Sequence, residues 1–208
     1  MTQPPLAPSP LAPVLGVVFD LDGTLVDSAL DFDAIRREME LPRGTPLLEA
    51  IAALPEERAV RCRDILARHE REGAERATLM PGAEELVSLL ASRGVRQAVL
   101  TRNSRDTALT TLARLGLSFE LVFGRDDAPH KPDPTAICRA CEAWQLPREQ
   151  VAIVGDYLFD LEAGRRAGVR TVLYTAGRDL RGVAWTALAD FQLVCFTRAA
   201  ELLAWLGH

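Results

Sequence analysis

The chain has 208 residues, of which 48% are hydrophobic and 25% are charged, and its formal net charge is −5. These values are typical of a globular protein with a full core and room for a small accessory domain. The acidic balance argues against a surface for nucleic acid or for an anionic membrane, because both require a concentrated positive field.

The chain opens with a proline-rich segment, residues 1–13, that contains no basic residue and no continuous apolar stretch. Secretory signals and transit peptides need basic residues, and secretory signals also need an apolar stretch. We therefore expect a disordered tail here and a cytoplasmic protein. No later segment offers the ~18 uninterrupted apolar residues that a membrane helix requires.

Six short apolar runs predict strands, and helical patterns separate most of them. The predicted strands are residues 14–19, 95–100, 119–123, 151–154, 170–174 and 191–196. The predicted helices between and after them are residues 84–93, 105–115, 158–167 and 198–206. Runs without polar alternation are typical of buried parallel strands, and repeated strand–helix–strand units predict an α/β fold with a Rossmann-like, doubly wound parallel sheet.

One segment, residues 27–80, interrupts this alternation. It has no strand-like run but carries helical patterns over residues 30–40, 46–53 and 56–77. We therefore predict a small helical domain over residues 27–80, inserted into a core domain made of residues 14–26 and 81–208.

Polar side chains follow four of the predicted strands in succession. They are Asp20 and Asp22 after the first strand, Thr101 after the second, Lys131 beyond the third, and Asp156 and Asp160 after the fourth. Ligands of open α/β sheets bind at the carboxyl ends of the strands, so we expect these side chains to meet in one site.

The residue types indicate a metal and a phosphate group. Three carboxylates brought together need a cation, and Mg²⁺ is held by such hard oxygen ligands. The Thr101 hydroxyl, the backbone amides that follow Asn103, and the Lys131 ammonium suit phosphate oxygens. Each residue alone is explained equally well as a turn, a helix cap or a solvated loop residue. Their conjunction at four strand ends favours a site for phosphoryl transfer.

Cys138 and Cys141 form a C-x-x-C pair, which is also a pattern of redox and zinc sites. The pair lies within an apolar helical pattern and no second cysteine or histidine pair completes a zinc site. We therefore interpret both residues as small core-facing side chains.

Four segments, in this order, resemble the motifs of the haloacid-dehalogenase-like superfamily, and specifically its phosphoglycolate-phosphatase-like branch. The segments are Asp20 to Ser28, Val99 to Thr101, Lys131 to Pro134, and Gly155-Asp156 with Asp160. The resemblance implies a Rossmann-like core whose inserted helical domain is a mobile cap that closes over the substrate.

The resemblance also implies a role for each motif residue. Asp20 is then the nucleophile that forms an aspartyl-phosphate, and Asp22 is the general acid and base. Mg²⁺ is expected on Asp20, the backbone carbonyl of Asp22, and Asp156, with Asp160 supporting these ligands. The phosphate-binding residues implied in this way are Thr101, Arg102, Asn103 and Lys131.

Several features leave alternatives open. Many relatives carry Asn or Gly directly after the threonine of the second motif, whereas Arg102 intervenes here before Asn103, so Arg102 either touches the substrate or lies on the surface. The role of His130, beside Lys131, is equally open. In the cap, the loop Arg43-Gly44-Thr45 is a candidate for facing the substrate.

We therefore expect a Mg²⁺-dependent phosphatase of a small phosphorylated metabolite, with phosphoglycolate as the default example. A phosphomutase acting on a sugar phosphate shares every motif and remains an alternative, and a non-catalytic interaction protein on the same scaffold is a remote one. A dehalogenase is disfavoured because that chemistry uses neither the metal nor an acid at Asp22. We expect no nucleic-acid or membrane partner, and a monomer or homodimer.

Overall fold

The computed structural model of the protein describes residues 12–208, so residues 1–11 of the predicted tail lie outside the described part. The strands are β1 (Gly16–Phe19), β2 (Val26–Asp27), β3 (Thr78–Leu79), β4 (Arg96–Leu100), β5 (Leu121–Phe123), β6 (Val151–Gly155), β7 (Arg170–Tyr174) and β8 (Phe191–Leu193). The helices are α1 (Phe32–Glu38), α2 (Leu47–Ala53), α3 (Glu56–Arg76), α4 (Ala83–Ser92), α5 (Arg105–Arg114), α6 (Thr135–Trp144), α7 (Leu158–Ala167) and α8 (Ala199–Leu206).

Six of the strands form one parallel sheet in the order β5-β4-β1-β6-β7-β8. Strand β1 lies at the centre, and its four residues are all buried because helices cover both faces of the sheet. The chain runs from β1 to β4 and β5 in one direction and from β6 to β7 and β8 in the other, which places the topological switch point between β1 and β6. The predicted doubly wound α/β fold is confirmed.

Apolar side chains on the two faces of the sheet form separate clusters. Helices α4, α5 and α8 contribute to one cluster, which includes Leu86, Leu112 and Leu203. Helices α6 and α7 contribute to the other, which includes Ile137 and Ala163. This two-sided burial explains why the strands read as continuous apolar runs in the sequence.

Helices α1, α2 and α3 pack on one another around a third apolar cluster, which contains Ile35, Met39, Leu47, Ile51 and Leu66. We call residues 27–80 the helical insertion. The prediction that this segment contains no strand is wrong at its two ends. There β2 and β3 pair antiparallel, where the chain enters and leaves the insertion. Strands of two residues have too little periodicity to be read from a sequence.

The last strand is shorter than predicted, since β8 ends at Leu193 and residues 196–198 form a 3₁₀ turn. The turn places Phe196 against Tyr174, with ring centroids 4.2 Å apart and nearly parallel planes. Burial of Phe196 therefore comes from packing on β7 and not from continuation of the strand.

Cys138 and Cys141 lie on α6, where Cys141 is buried in the core and Cys138 packs against it. All four cysteines are free thiols. Within residues 12–208, no helix combines the length and the apolar character needed to cross a membrane.

Candidate active site

The loops after β1, β4, β5 and β6 surround a cavity of about 520 Å³, which the helical insertion closes from the opposite side. Residues from the core line one end of the cavity, where the predicted catalytic side chains lie. Residues of the helical insertion line the other end. The cavity thus lies at the carboxyl ends of the strands, at the switch point of the sheet.

Asp20 follows β1 directly and is 6% exposed. Its backbone amide donates to the carbonyl of Val154 on β6 at 2.9 Å, which anchors the residue to the sheet. Thr24 Oγ1 donates to Asp20 Oδ2 at 3.0 Å, and Lys131 Nζ donates to Oδ1 at 2.5 Å. Burial raises the pKa of Asp20 well above its usual range, against the opposing effect of Lys131. Both carboxylate oxygens are therefore held in a defined orientation.

Lys131 is the only lysine among the 24 basic residues of the chain, and it is 3% exposed. Besides Asp20, its ammonium group donates to Asp160 Oδ1 at 2.6 Å and to the carbonyl of Leu100 at 2.9 Å. Burial acts to lower the pKa of Lys131, but Asp160 and Asp20 outweigh it and hold the pKa above its usual range. Three donors in a tetrahedral arrangement match these three acceptors, which the planar guanidinium of arginine would not.

Asp160 lies in the first turn of α7 and is 2% exposed. Its Oδ2 accepts from the backbone amide of Tyr157 at 3.1 Å, while Oδ1 accepts from Lys131. The side chain packs directly on Gly155, where an added Cβ would lie 2.2 Å from Asp160 Cγ. Only glycine at residue 155 leaves room for this carboxylate.

Asp156 follows β6, and its carboxylate faces the turn after β1. An added Cβ at Gly23, whose φ is +83°, would lie 2.7 Å from Asp156 Oδ2. Arg178, from the loop after β7, donates to Asp156 Oδ2 and to its backbone carbonyl, both at 2.9 Å. Burial and the nearby Asp160 raise the pKa of Asp156 to about 6, although Arg178 opposes the rise.

Asp22 lies on the other side of Asp20 in the same turn. Asn103 Nδ2 donates to Asp22 Oδ2 at 2.7 Å, and Thr101 Oγ1 approaches the same oxygen at 3.5 Å. Thr101 Oγ1 also accepts from the Asn103 backbone amide at 3.1 Å, so the loop after β4 is folded onto Asp22. Burial raises the pKa of Asp22 above its usual range, against the opposing effects of Lys131 and of hydrogen bonds from its neighbours.

Arg102 connects this loop to the helical insertion. Its Nη2 donates to both carboxylate oxygens of Glu49 on α2, at 2.9 and 2.7 Å, and its Nη1 donates to the Lys131 carbonyl at 2.6 Å. The guanidinium carbon lies 4.4 Å from the ring centroid of Phe159. Burial would raise the pKa of Glu49, but the Arg102 pair outweighs it and lowers that pKa.

A second ion pair joins the insertion to the core. Glu70 on α3 is 3% exposed and accepts from Arg125 Nη1 at 2.6 Å. Arg125 also donates to the carbonyl of Arg102 at 3.2 Å, so both ion pairs meet at the loop after β4. The second oxygen of Glu70 is buried and has no hydrogen-bond partner among residues 12–208, and burial raises the pKa of this carboxyl despite Arg125.

The structure brings the residues predicted at the four strand ends into one site. Asp20, Asp156 and Asp160 each offer an oxygen within 4.8 Å of the others, a donor set of the kind that hard cations prefer. Asn103 contacts Asp22 through its side chain, and the three donors of Lys131 lie on two acids and a carbonyl. The roles assigned to these residues from the resemblance stay predictions.

The remaining candidates have different positions. His130 Nδ1 lies 3.0 Å from the Lys131 carbonyl and 3.8 Å from Glu49. In the insertion loop, Gly44 lines the cavity, whereas the Arg43 side chain is 89% exposed and pairs with Asp33.

Sequence reasoning missed Glu49, Glu70, Arg125 and Arg178. Each lies far along the chain from its partner in the site, and none belongs to a motif. One feature of the sequence could have indicated an ion pair here. Arg102 stands where many relatives carry Asn or Gly, and a partly buried arginine needs an acidic partner.

Comparison with known proteins agrees with this geometry. The chain matches the haloacid dehalogenase-like hydrolases over residues 33–174. It is 32% identical to the N-acetylmuramic acid 6-phosphate phosphatase of Pseudomonas putida, over 77% of this chain and 82% of that protein. It is 30% identical to the phosphoglycolate phosphatase of Rhodobacter capsulatus, over 80% of this chain and 86% of that protein. The fold is shared with a hydrolase from Pseudomonas syringae, with a TM-score of 0.77 and 23% identity over 91% of this chain and 98% of that one.

Proposed function

The chain belongs to the haloacid dehalogenase-like hydrolase family and is a phosphoric monoester hydrolase, and from that premise we propose a Mg²⁺-dependent phosphatase acting on a small phosphorylated metabolite. One observation carries the proposal. The buried carboxylate of Asp20 is held at both oxygens and lies in the same turn as Asp22, whose pKa is raised. A nucleophile and a proton donor are thus both available to one phosphate ester.

The acidic end of the cavity fits a magnesium ion. Asp20 and Asp156 would hold it, with Asp160 nearby, because all three provide carboxylate oxygens within a short distance of one another. When bound, the ion would offset the negative charge that carboxylates and phosphate bring together.

In the proposed reaction, an oxygen of the Asp20 carboxylate attacks phosphorus and forms an aspartyl-phosphate. The bond between phosphorus and the ester oxygen breaks, and Asp22 gives its proton to the departing alkoxide. Asp22 then removes a proton from water, which attacks phosphorus and releases inorganic phosphate and Asp20. The Asn103 amide fixes Asp22 Oδ2 as an acceptor, which leaves Oδ1 to carry the proton.

The surrounding polar groups would stabilise the transferring phosphoryl group. The Thr101 hydroxyl lies beside Asp22, and Lys131 offsets the charge of Asp20 and Asp160. Groups fixed in place before the reaction stabilise developing charge without reorganisation.

The coarse substrate class, a small phosphomonoester, follows from relatives named as phosphatases of phosphoglycolate and of N-acetylmuramic acid 6-phosphate. Phosphoglycolate is the default substrate implied by the resemblance of the sequence motifs, so it is the first ester to assay. A cytoplasmic location and a monomeric or dimeric state also belong to the proposal.

The test is the Asp20→Asn variant assayed for release of inorganic phosphate from a panel of esters, with Mg²⁺ and with EDTA. We expect kcat to fall by at least about 10³-fold, because the amide is a poor nucleophile. Asp179→Asn is the matched control, since the Asp179 side chain is 61% exposed and pairs with nearby Arg181. Phosphate release by Asp20→Asn at the wild-type rate would refute the proposed mechanism.

A further inference from the structure

The cavity is larger than phosphoglycolate requires. At about 30 Å³ for each heavy atom, the space that a liquid water molecule takes, phosphoglycolate would fill roughly half of it. The cavity volume of about 520 Å³ lies in the range of pockets that enclose ligands of ring size and above. We expect the phosphate group to bind at the Asp20 end, so the remaining volume of the cavity would hold the leaving group.

Much of the cavity wall is apolar, and its apolar residues come from both parts of the molecule. The insertion contributes Leu30, Phe32, Leu47, Leu48 and Leu66. The core contributes Tyr157 and Phe159, whose rings contact each other with centroids 5.4 Å apart.

Two aromatic rings lie at this end with large exposed fractions. Phe32 is 47% exposed and Tyr157 is 49% exposed. Trp185 also contacts the Tyr157 ring, at a centroid distance of 5.6 Å, and so helps to fix its position. An apolar ligand surface packed against Phe32 and Tyr157 in the cavity would remove part of both side chains from water.

Charge at the cavity disfavours a second anion. Six acidic and four basic side chains line it. Of the basic groups, Arg36 is bound to Asp33 and to the Thr45 carbonyl, both at 2.8 Å, and Arg102 is bound to Glu49. The other two, Lys131 and Arg178, lie on the catalytic carboxylates. A carboxylate on the leaving group would find each lining cation of the described chain already engaged by an acid.

We propose that the substrate is a phosphomonoester whose leaving group is ring-sized, uncharged and apolar on at least one face, and that Phe32 is a specificity-determining residue for it. This inference rests on the proposed phosphatase function and narrows its substrate class. It places small carboxylate-bearing esters such as phosphoglycolate among the poor substrates.

The test compares kcat/KM for three esters of primary alcohols in the presence of Mg²⁺: benzyl phosphate, 4-carboxybenzyl phosphate and phosphoglycolate. We expect benzyl phosphate to exceed phosphoglycolate by about 30-fold or more, because the ring is buried against apolar walls. The 4-carboxybenzyl ester, which has the same ring with a carboxylate, should fall below benzyl phosphate by about 10-fold.

Two variants distinguish a direct effect of the cavity wall on the substrate from a general disturbance of the helical insertion. Phe32→Ala should lower kcat/KM for benzyl phosphate by about 5-fold and leave the value for phosphoglycolate within about twofold. Val60→Ala on α3 is the control, because Val60 is 44% exposed and does not line the cavity. It should change neither value.

Phosphoglycolate turned over as efficiently as benzyl phosphate would overturn the inference while leaving the phosphatase function intact. So would an equal effect of Phe32→Ala on both esters, or an equal effect of the two variants. Absence of any phosphate release that depends on Asp20 would instead overturn the proposed function, and this inference with it.

Discussion

Replacement of Lys131 by methionine is expected to destabilise the protein and to abolish its activity. Methionine keeps the approximate length and volume of the side chain but removes the ammonium group. Asp20 and Asp160 would then be two buried carboxylates without their shared cation, since their side chains are 8% and 3% exposed. The Leu100 carbonyl would lose its donor as well.

Removing one partner of a buried ion pair costs about 3–5 kcal/mol, because the other charge stays buried without compensation. We expect a loss of this size in the free energy of unfolding at pH 7 with EDTA. The loss should shrink toward pH 5, since an uncompensated carboxyl group binds a proton and each unit of pKa shift corresponds to about 1.4 kcal/mol. Mg²⁺ should also reduce it by supplying another cation.

Urea denaturation at pH 5 and pH 7, with EDTA and with Mg²⁺, measures these effects. Lys131→Arg keeps the charge but not the tetrahedral donors, so it should lose less stability than the methionine variant and still lose activity. Arg181→Met is a surface control, because the Arg181 side chain is 92% exposed, and should stay within about 0.5 kcal/mol of wild type. A Lys131→Met protein within about 1 kcal/mol of wild type at pH 7 in EDTA would refute the reasoning.

Three further predictions concern the contacts around the site. The pair formed by Arg102 and Glu49 is partly exposed, so a double-mutant cycle with Arg102→Gln and Glu49→Gln should give a coupling energy of about 1 kcal/mol in urea unfolding, reduced by 1 M salt. Additive effects of the two substitutions would contradict a direct pair. Burial raises the pKa of Glu70, so its ionisation removes stability as pH rises from its ordinary pKa of 4.5 through the higher value in the folded protein. Glu70→Gln should therefore gain stability relative to wild type as the pH rises above about 4.5 in unfolding experiments, and a constant difference would show that the pKa is not raised. Gly155→Ala should displace Asp160, with a loss of about 1–3 kcal/mol in thermal or urea unfolding and at least a tenfold fall in kcat, and wild-type activity would show that the loop can move aside.

The sheet and the polar residues at its carboxyl edge could be predicted from the amino-acid sequence. Buried parallel strands are short apolar runs, and the chain has few ways to arrange strands that alternate with helices. Asp20, Thr101, Lys131 and Asp156 could be placed together because each follows such a run. A local apolar pattern marks each strand, and the carboxyl ends of parallel strands meet at one edge of the sheet.

The pairing of these side chains could not be predicted in this way and became known from the folded chain. The bond from Asn103 to Asp22, the three acceptors of Lys131 and the ion pair of Arg102 with Glu49 join residues that lie 29 to 111 positions apart. No local pattern encodes such distances. The short ribbon of β2 and β3 was missed for the same reason, since its pairing depends on where the insertion leaves and rejoins the core. The leaving-group end of the cavity is likewise built from two parts of the chain that meet only in the fold, so its apolar character became visible only there.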